Sequence, residues 1–415
     1  MWQGDAIYPA GVKPGVEQWY AALSEIINDT HVSGADELAA IVGDAVAPLG
    51  LSTRMYLADL EQRGLHPVDA PVGSSLPIGE GAAGQAFRHV EILTEYADGS
   101  APLLWVPLLD GAERFGVLCV GLPPGTDPED PELRRRYWVL AGLLGHIVAS
   151  KIHYGDLFHT VRRTRPLSVP SELLWQLVPP QTFACPHLVV SAVLQPYDEV
   201  AGDAYDYAVV AGQAHVAVFD AVGHDLEAGL AASMAVATTR NARRAGLELI
   251  ASAALADEIL AARTGVVFAT ALLARLDLDT GVLHYLNAGH PPPVLLRGGR
   301  VVKRLDGPIR PPLGLGHLTV GAPRLGREQL ERGDRVLLYT DGITEARDNR
   351  GTMFGLDRLV ELAERHHDAG LPAPETLRQI AHAVFEHQHG RLQDDATLLL
   401  VEWADTAPAG MLPRI

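Results

Sequence analysis

The chain has 415 residues, 47% hydrophobic and 20% charged, so it is globular and too long for one ordinary core. Lys and Arg total 33 against 51 Asp and Glu, a formal charge of −18. That balance excludes nucleic acid and anionic membrane as expected partners, since both would be repelled, and fits a cytoplasmic protein.

Cys119 and Cys185 lie in or beside apolar sequence with no second Cys or His at ligand spacing, which reads as two buried thiols in a reducing compartment. "MWQGDAIYPAGVKPG" lacks the basic-then-apolar order of a signal peptide, and "WVLAGLLGHIVAS" is too short to span a membrane. Residues 17–45 read as two helices. Short strands and turns follow: "STRMYLADL", "PIGEGAAGQAFRHVEILTEY", "LLWVPLLDG" and "RFGVLCVGLP". The stretches "LPIGEGAAGQAF" and "LWVPLLDGAERFGVLCV" resemble a GAF sensor domain, assigned to residues 17–130. The resemblance implies a fold and leaves open whether a small molecule binds there.

Residues 131–166 read as a helical linker. Leu133, Tyr137, Leu140, Leu144, Ile147, Lys151, Tyr154, Phe158 and Val161 alternate spacings of four and three. This is the pattern of a coiled coil, and a homodimer is expected from it. A helix packed on its own domain would show a similar stripe. Pro166 ends the segment.

Residues 167–404 read as a second domain. Its strands, "HLVVSAVLQP", "DAYDYAVVAG", "AHVAVFD", "VFATALLARLDL", "VLHYLNAG", "PVLLRG", "RVVKRL", "RVLLYTD" and "ATLLLVEW", are mostly joined by short turns. Four helical segments intervene. Short turns indicate antiparallel pairing, and covering helices make the fold class α+β.

Asp203 opens one of these strands and Asp220 closes the next. A two-residue loop at Ala211-Gly212 would set them directly opposite, and one at Gly212-Gln213 would offset them by two residues. Either register leaves both carboxylates on one face, with roughly 5 or 7–8 Å between Cβ atoms. Such a pair repels unless a proton or a cation lies between its members. Asp341 ends "RVLLYTD", and Asp394 and Asp395 precede "ATLLLVEW", so acidic residues stand at the ends of four apolar strands. An all-oxygen set suits Mg²⁺ or Mn²⁺, and bridging carboxylates suggest two ions about 4 Å apart.

The blocks "VAGDAYDY", "VFDAVGHDLEAGLAASMA", "FATALLARLDLDTGVLHYLNAGHPPPVLL", "PPLGLG", "GDRVLLYTDGITEARD" and "QDDATLLLVEW" occur in that order. Together they resemble the SpoIIE-type branch of the metal-dependent PPM serine/threonine phosphatases. The resemblance implies an α/β/β/α sandwich with antiparallel sheets. By it, Asp220 would bridge two Mn²⁺ or Mg²⁺ ions, Asp203 would complete the second ion's shell, and Asp341 and Asp394 would serve the first. Asp395 is the fallback for Asp394, and Ala221 would offer its carbonyl. The implied chemistry is in-line attack of a metal-bridging water on phosphoserine or phosphothreonine, its pKa lowered from about 15.7 towards neutrality. The implied substrate is a phosphorylated anti-sigma-factor antagonist of the STAS type, in partner switching under GAF control.

The sequence departs from the family's glycines at Ala201 and Asp225. His224 is a candidate proton donor to the leaving oxygen or a residue that fixes its loop, and His290 reads as structural. Two further functions are open: a non-catalytic binding module built on the phosphatase fold, and a small phosphomonoester hydrolase.

Overall fold

A computed structural model describes residues 15–69, 74–96, 101–195, 202–223, 226–263, 267–405 and 407–413. The chain divides into two compact units, residues 1–165 with 411–415, and residues 166–410. Among the described residues no helix is long and apolar enough to cross a membrane.

In the first unit α1 (Val16–Thr30) and α2 (Leu38–Val46) precede β1 (Ser52–Ala58), β2 (Gly64–Pro67) and β3 (Leu76–Pro77). Then come α3 (Gly81–His89), β4 (Leu93–Glu95), β5 (Leu103–Asp110), β6 (Glu113–Gly121), α4 (Pro131–Lys151) and α5 (Leu157–Arg162). The strands form one antiparallel sheet in the order β3-β2-β1-β6-β5-β4. Alternating side chains supply both of its faces. Leu57, Val106, Leu118 and Val120 pack with α1, α2, α4 and α5, while Tyr56, Trp105 and Val117 pack with Phe87 of α3.

Asp130 caps α4 by accepting from the Glu132 amide at 2.9 Å, and Pro131 sits in the first turn. The apolar stripe of this helix faces inward. Leu133, Tyr137, Leu140, Leu144 and Val148 are buried in the unit's own core, as is Phe158 of α5. The helix expected to continue to Pro166 is interrupted: α4 stops at Lys151, and 152–156 form a turn before α5. Spacing alone could not separate a dimer interface from this intramolecular packing. Lys151 at the stripe's end is buried, and its Nζ donates to the carbonyls of Thr30 (2.8 Å) and Ser33 (2.6 Å). It thereby caps the end of α1, where the helix dipole is negative.

The second unit contains α6 (Val169–Leu177), β7 (Thr182–Cys185), β8 (Leu188–Gln195), β9 (Asp203–Val210), β10 (Gln213–Ala221), α7 (Leu226–Arg244) and α8 (Leu249–Ala261). It continues with β11 (Ala269–Asp277), β12 (Val282–Ala288), β13 (Val294–Arg297), β14 (Arg300–Arg304), β15 (Ile309–Arg310) and β16 (Gly326–Gln329). It closes with β17 (Asp334–Tyr339), α9 (Asp341–Thr344), α10 (Leu356–Asp368), α11 (Ala373–His387) and β18 (Ala396–Trp403). Two sheets result, β15-β12-β11-β10-β9 with β16 on β12, and β14-β13-β17-β18-β8-β7. All their pairings are antiparallel except β12 with β15.

Period-two alternation builds the layers. Val216 and Val218 of β10 face Val190, Leu399 and Val401 of the other sheet, whereas Ala217 and Phe219 face the alanine-rich side of α7 and α8. On the far side α11 packs on β8 and β18. The unit is therefore helix, sheet, sheet, helix. The small residues of α7 (Ala228, Ala231, Ala232, Ala235) let it lie close to β10. An ion triad pins it: buried Asp206 of β9 accepts from the partly buried Arg240 Nη2 and Arg243 Nη1, each at 2.6 Å.

Candidate metal centre

The β9–β10 turn decides the register left open by the sequence. Ala211 and Gly212 both have positive φ, 49° and 76°, as a two-residue hairpin turn with the twist of its strands requires. Asp203 and Asp220 therefore stand directly opposite one another. Thr270 of β11 is the neighbour of Asp220 on its other side.

The second sheet brings the remaining acids. Asp341 begins α9 immediately after β17, and Asp394 and Asp395 lead into β18, the partner of β17. Close approach of the two segments demands the glycine at 342. A Cβ there would lie 1.8 Å from the Asp395 carbonyl oxygen and 3.5 Å from Asp394 Cβ. Asp395 is buried and its carboxylate accepts from the backbone amide of Gly202, with a longer contact of 3.4 Å to that of Asp203. Asp394 is exposed. The adjacent acids thus have different surroundings, Asp395 gripping the start of β9 and Asp394 standing beside Asp341 and Asp220.

Burial, then the charges of Asp220 and Asp395, raise the Asp203 carboxyl well above its ordinary range. Burial, then Asp341, Asp394 and Asp395, push Asp220 up to about 7. Asp341 is raised by burial, Asp394 and Glu345. The charged neighbours that shift these groups are all carboxylates, so the cluster is short of positive charge. Two threonines orient the facing pair. Thr340 Oγ1 donates to Asp203 Oδ2 at 2.7 Å while accepting from the Thr397 amide at 3.0 Å. Thr270 stands opposite Asp220 in the β10–β11 register, and its hydroxyl partly offsets the rise of the Asp220 carboxyl.

These groups fit hard divalent cations. Every donor is oxygen, and a Cβ on Gly202 would fall 2.8 Å from the Ala221 carbonyl, 3.1 Å from that of Gly223 and 3.6 Å from Asp395 Oδ2. The bare glycine leaves that oxygen-lined space open. Among the described residues no three acidic, His or Cys side chains are grouped so that they could hold a metal ion as they stand. What the structure shows among these residues is a partly buried cluster of facing carboxylates without a nearby cation. His224 and Asp225 lie outside the described residues, as does Ala201.

Residues 211–404 match the family described as Stage II sporulation protein E (SpoIIE). The C-terminal half is a SpoIIE-type PPM phosphatase domain. The chain is 25% identical over 271 residues to Protein IcfG of Synechocystis sp., covering 57% of this chain and 39% of that protein. It is 24% identical over 220 residues to phosphoserine phosphatase RsbU of Bacillus subtilis, covering 52% and 63%. It therefore spans less than two thirds of either relative. Among solved structures, the RsbU and RsbW domains of a Mycobacterium tuberculosis protein share 27% identity with a TM-score of 0.46, covering 55% of this chain and 62% of that one. The SiaA-PP2C domain of Pseudomonas aeruginosa shares 24% with a TM-score of 0.45, covering 52% and 85%. The family match begins beyond Asp203, which strand register joins to the matched acids.

Thr340, Thr270 and Glu345 escaped the reading of the sequence. Thr340 precedes Asp341 in "YTDG" and could have been sought there; Thr270 and Glu345 stand out only once pairing and helix geometry are known.

Proposed function

We propose that this protein is a Mn²⁺- or Mg²⁺-dependent phosphatase acting on phosphoserine or phosphothreonine of a signalling protein. One observation carries the proposal: Asp203 and Asp220 face each other across a hairpin, and the charges that shift them are those of further carboxylates. Two divalent ions, when bound, would supply the positive charge that activates water and neutralises a phosphoryl group. Asp203, Asp220, Asp341 and Asp394, with the Ala221 carbonyl, would hold them. Asp395 would keep β9 against β18, and Thr340 and Thr270 would orient the central pair. His224, near the end of β10, is proposed as proton donor to the leaving oxygen.

RsbU is named as a phosphoserine phosphatase, which supports the same residue class as substrate here. We read the substrate as a phosphorylated STAS-type anti-sigma-factor antagonist in the cytoplasm. The N-terminal unit, an antiparallel sheet with helices on both faces, is read as a GAF-type sensor that controls the phosphatase and can take a small ligand. A homodimer would have to use a surface other than the α4 stripe, which its own core consumes.

The test is phosphate release from a phosphoserine STAS protein and from an aryl phosphate. Mn²⁺-dependent release abolished by chelator and by Asp220→Asn is expected. Turnover unaffected by either would refute the assignment, and release from free metabolites in preference to phosphoprotein would redirect it to a small-molecule hydrolase.

A further inference from the structure

His290 belongs to the turn after β12, and nothing in its sequence setting marks it as more than a residue of a stiff loop. Its position says otherwise. The side chain is only 3% exposed, and its backbone is locked by Asn287 in two reciprocal bonds, Asn287 Nδ2 to the His290 carbonyl and the His290 amide to Asn287 Oδ1, both 2.8 Å. The ring then reaches β11, where Nδ1 lies 2.8 Å from Thr270 Oγ1.

The tautomer follows from what surrounds the ring. Burial lowers its pKa to about 4, so it is neutral near pH 7. The Tyr339 carbonyl approaches the ring, yet buried Nε2 makes no hydrogen bond of normal geometry. Thr270 has a single hydroxyl proton, and its strand partner Asp220, once ionised, can only accept. The proton therefore belongs on Nδ1, which donates to Thr270 Oγ1. With that oxygen already accepting, the Thr270 O–H is free to donate to Asp220. The same logic operates on the facing acid, where the Thr397 amide fills Thr340 Oγ1 and the Thr340 O–H goes to Asp203.

We propose that His290 is a positioning residue, which through Thr270 fixes the Asp220 carboxylate in the orientation that divalent ions require. This rests on the metal-centre reading above. Its chemistry is that of an outer partner holding a metal-binding carboxylate, whose loss typically weakens metal affinity by about 10- to 100-fold.

The experiment titrates Mn²⁺ alone into the full-length chain by calorimetry, for wild type, Thr270→Val, His290→Phe, the double variant and His290→Asn. Circular dichroism confirms the fold of each. Thr270→Val and His290→Phe are each expected to weaken Mn²⁺ binding by roughly 10-fold or more. The double variant is expected to lose no more than either alone, because His290 acts only through Thr270. Asparagine keeps an N–H near the place of Nδ1, and its affinity should return to within about threefold of wild type.

Losses that multiply in the double variant, or Mn²⁺ affinity untouched by Thr270→Val, overturn the proposal. Should His290→Phe fail to fold, Thr270→Val and His290→Asn decide: wild-type affinity in the former overturns it, and weakening in the former with retention in the latter supports it. An unmodified protein that binds no Mn²⁺ overturns the metal centre itself and this proposal with it.

Discussion

Replacing Asp220 by asparagine is expected to stabilise the metal-free protein above neutral pH, although it destroys the proposed centre. The carboxyl titrates near 7 in the folded chain against an ordinary value of 3.8. Between those two values the folded chain retains a proton that the unfolded chain has released, so raising the pH favours unfolding. A displacement of about three units at 1.36 kcal/mol each amounts to about 4 kcal/mol of stability lost by pH 8. Because Asp203 and Asp220 face each other, this is a property of the pair.

Asparagine keeps the volume, removes the charge and still accepts from Thr270. Calorimetric unfolding in chelator is the assay. At roughly 2–4 °C per kcal/mol for a unit of this size, the variant should melt about 8–16 °C above wild type at pH 8. The difference should shrink towards pH 5. Added Mn²⁺ should raise the wild-type transition and leave the variant's in place. A variant melting at or below wild type at pH 8 in chelator would refute the idea that burial and neighbouring carboxylates strain this residue.

Gly342→Ala places a Cβ 1.8 Å from the Asp395 carbonyl, so α9 and the start of β18 must separate. A displacement near 1 Å at a reacting centre costs on the order of 100-fold in turnover, and phosphate-release assays should show at least that loss. Gly43→Ala in α2 meets nothing within 4 Å and should leave turnover unchanged while adding up to about 1 kcal/mol to stability. Asp206→Ala strips two partly buried arginines of their shared carboxylate and should destabilise the phosphatase unit by about 3–5 kcal/mol in urea unfolding.

The facing of Asp203 and Asp220 was legible because strand alternation and turn chemistry are local. The loop "VVAGQAHV" admitted only two simple registers, and the left-handed Ala211-Gly212 pair selects one of them. The different settings of Asp394 and Asp395 are not local: Asp395 accepts from the amide of Gly202, 193 residues away. The need for glycine at 342 is not local either, since it comes from another strand's carbonyl and not from the residue's own dihedral angles. The stripe on α4 was visible as periodicity, but periodicity does not say whether the covering surface belongs to the same domain or to a partner. Here Leu104, Val106 and Leu118 share its core.

The grip of Asp395 on Gly202 also sets an order of events during synthesis. The strands carrying Asp203 and Asp220 leave the ribosome long before β18, which must insert between β17 and β8 to complete its sheet. Until then the facing pair lacks both the clamp and the acid supplied by 394–395. A nascent or truncated chain therefore holds only part of the acidic cluster proposed to take the metal. The full cluster assembles late, with the docking of a strand that also closes the core.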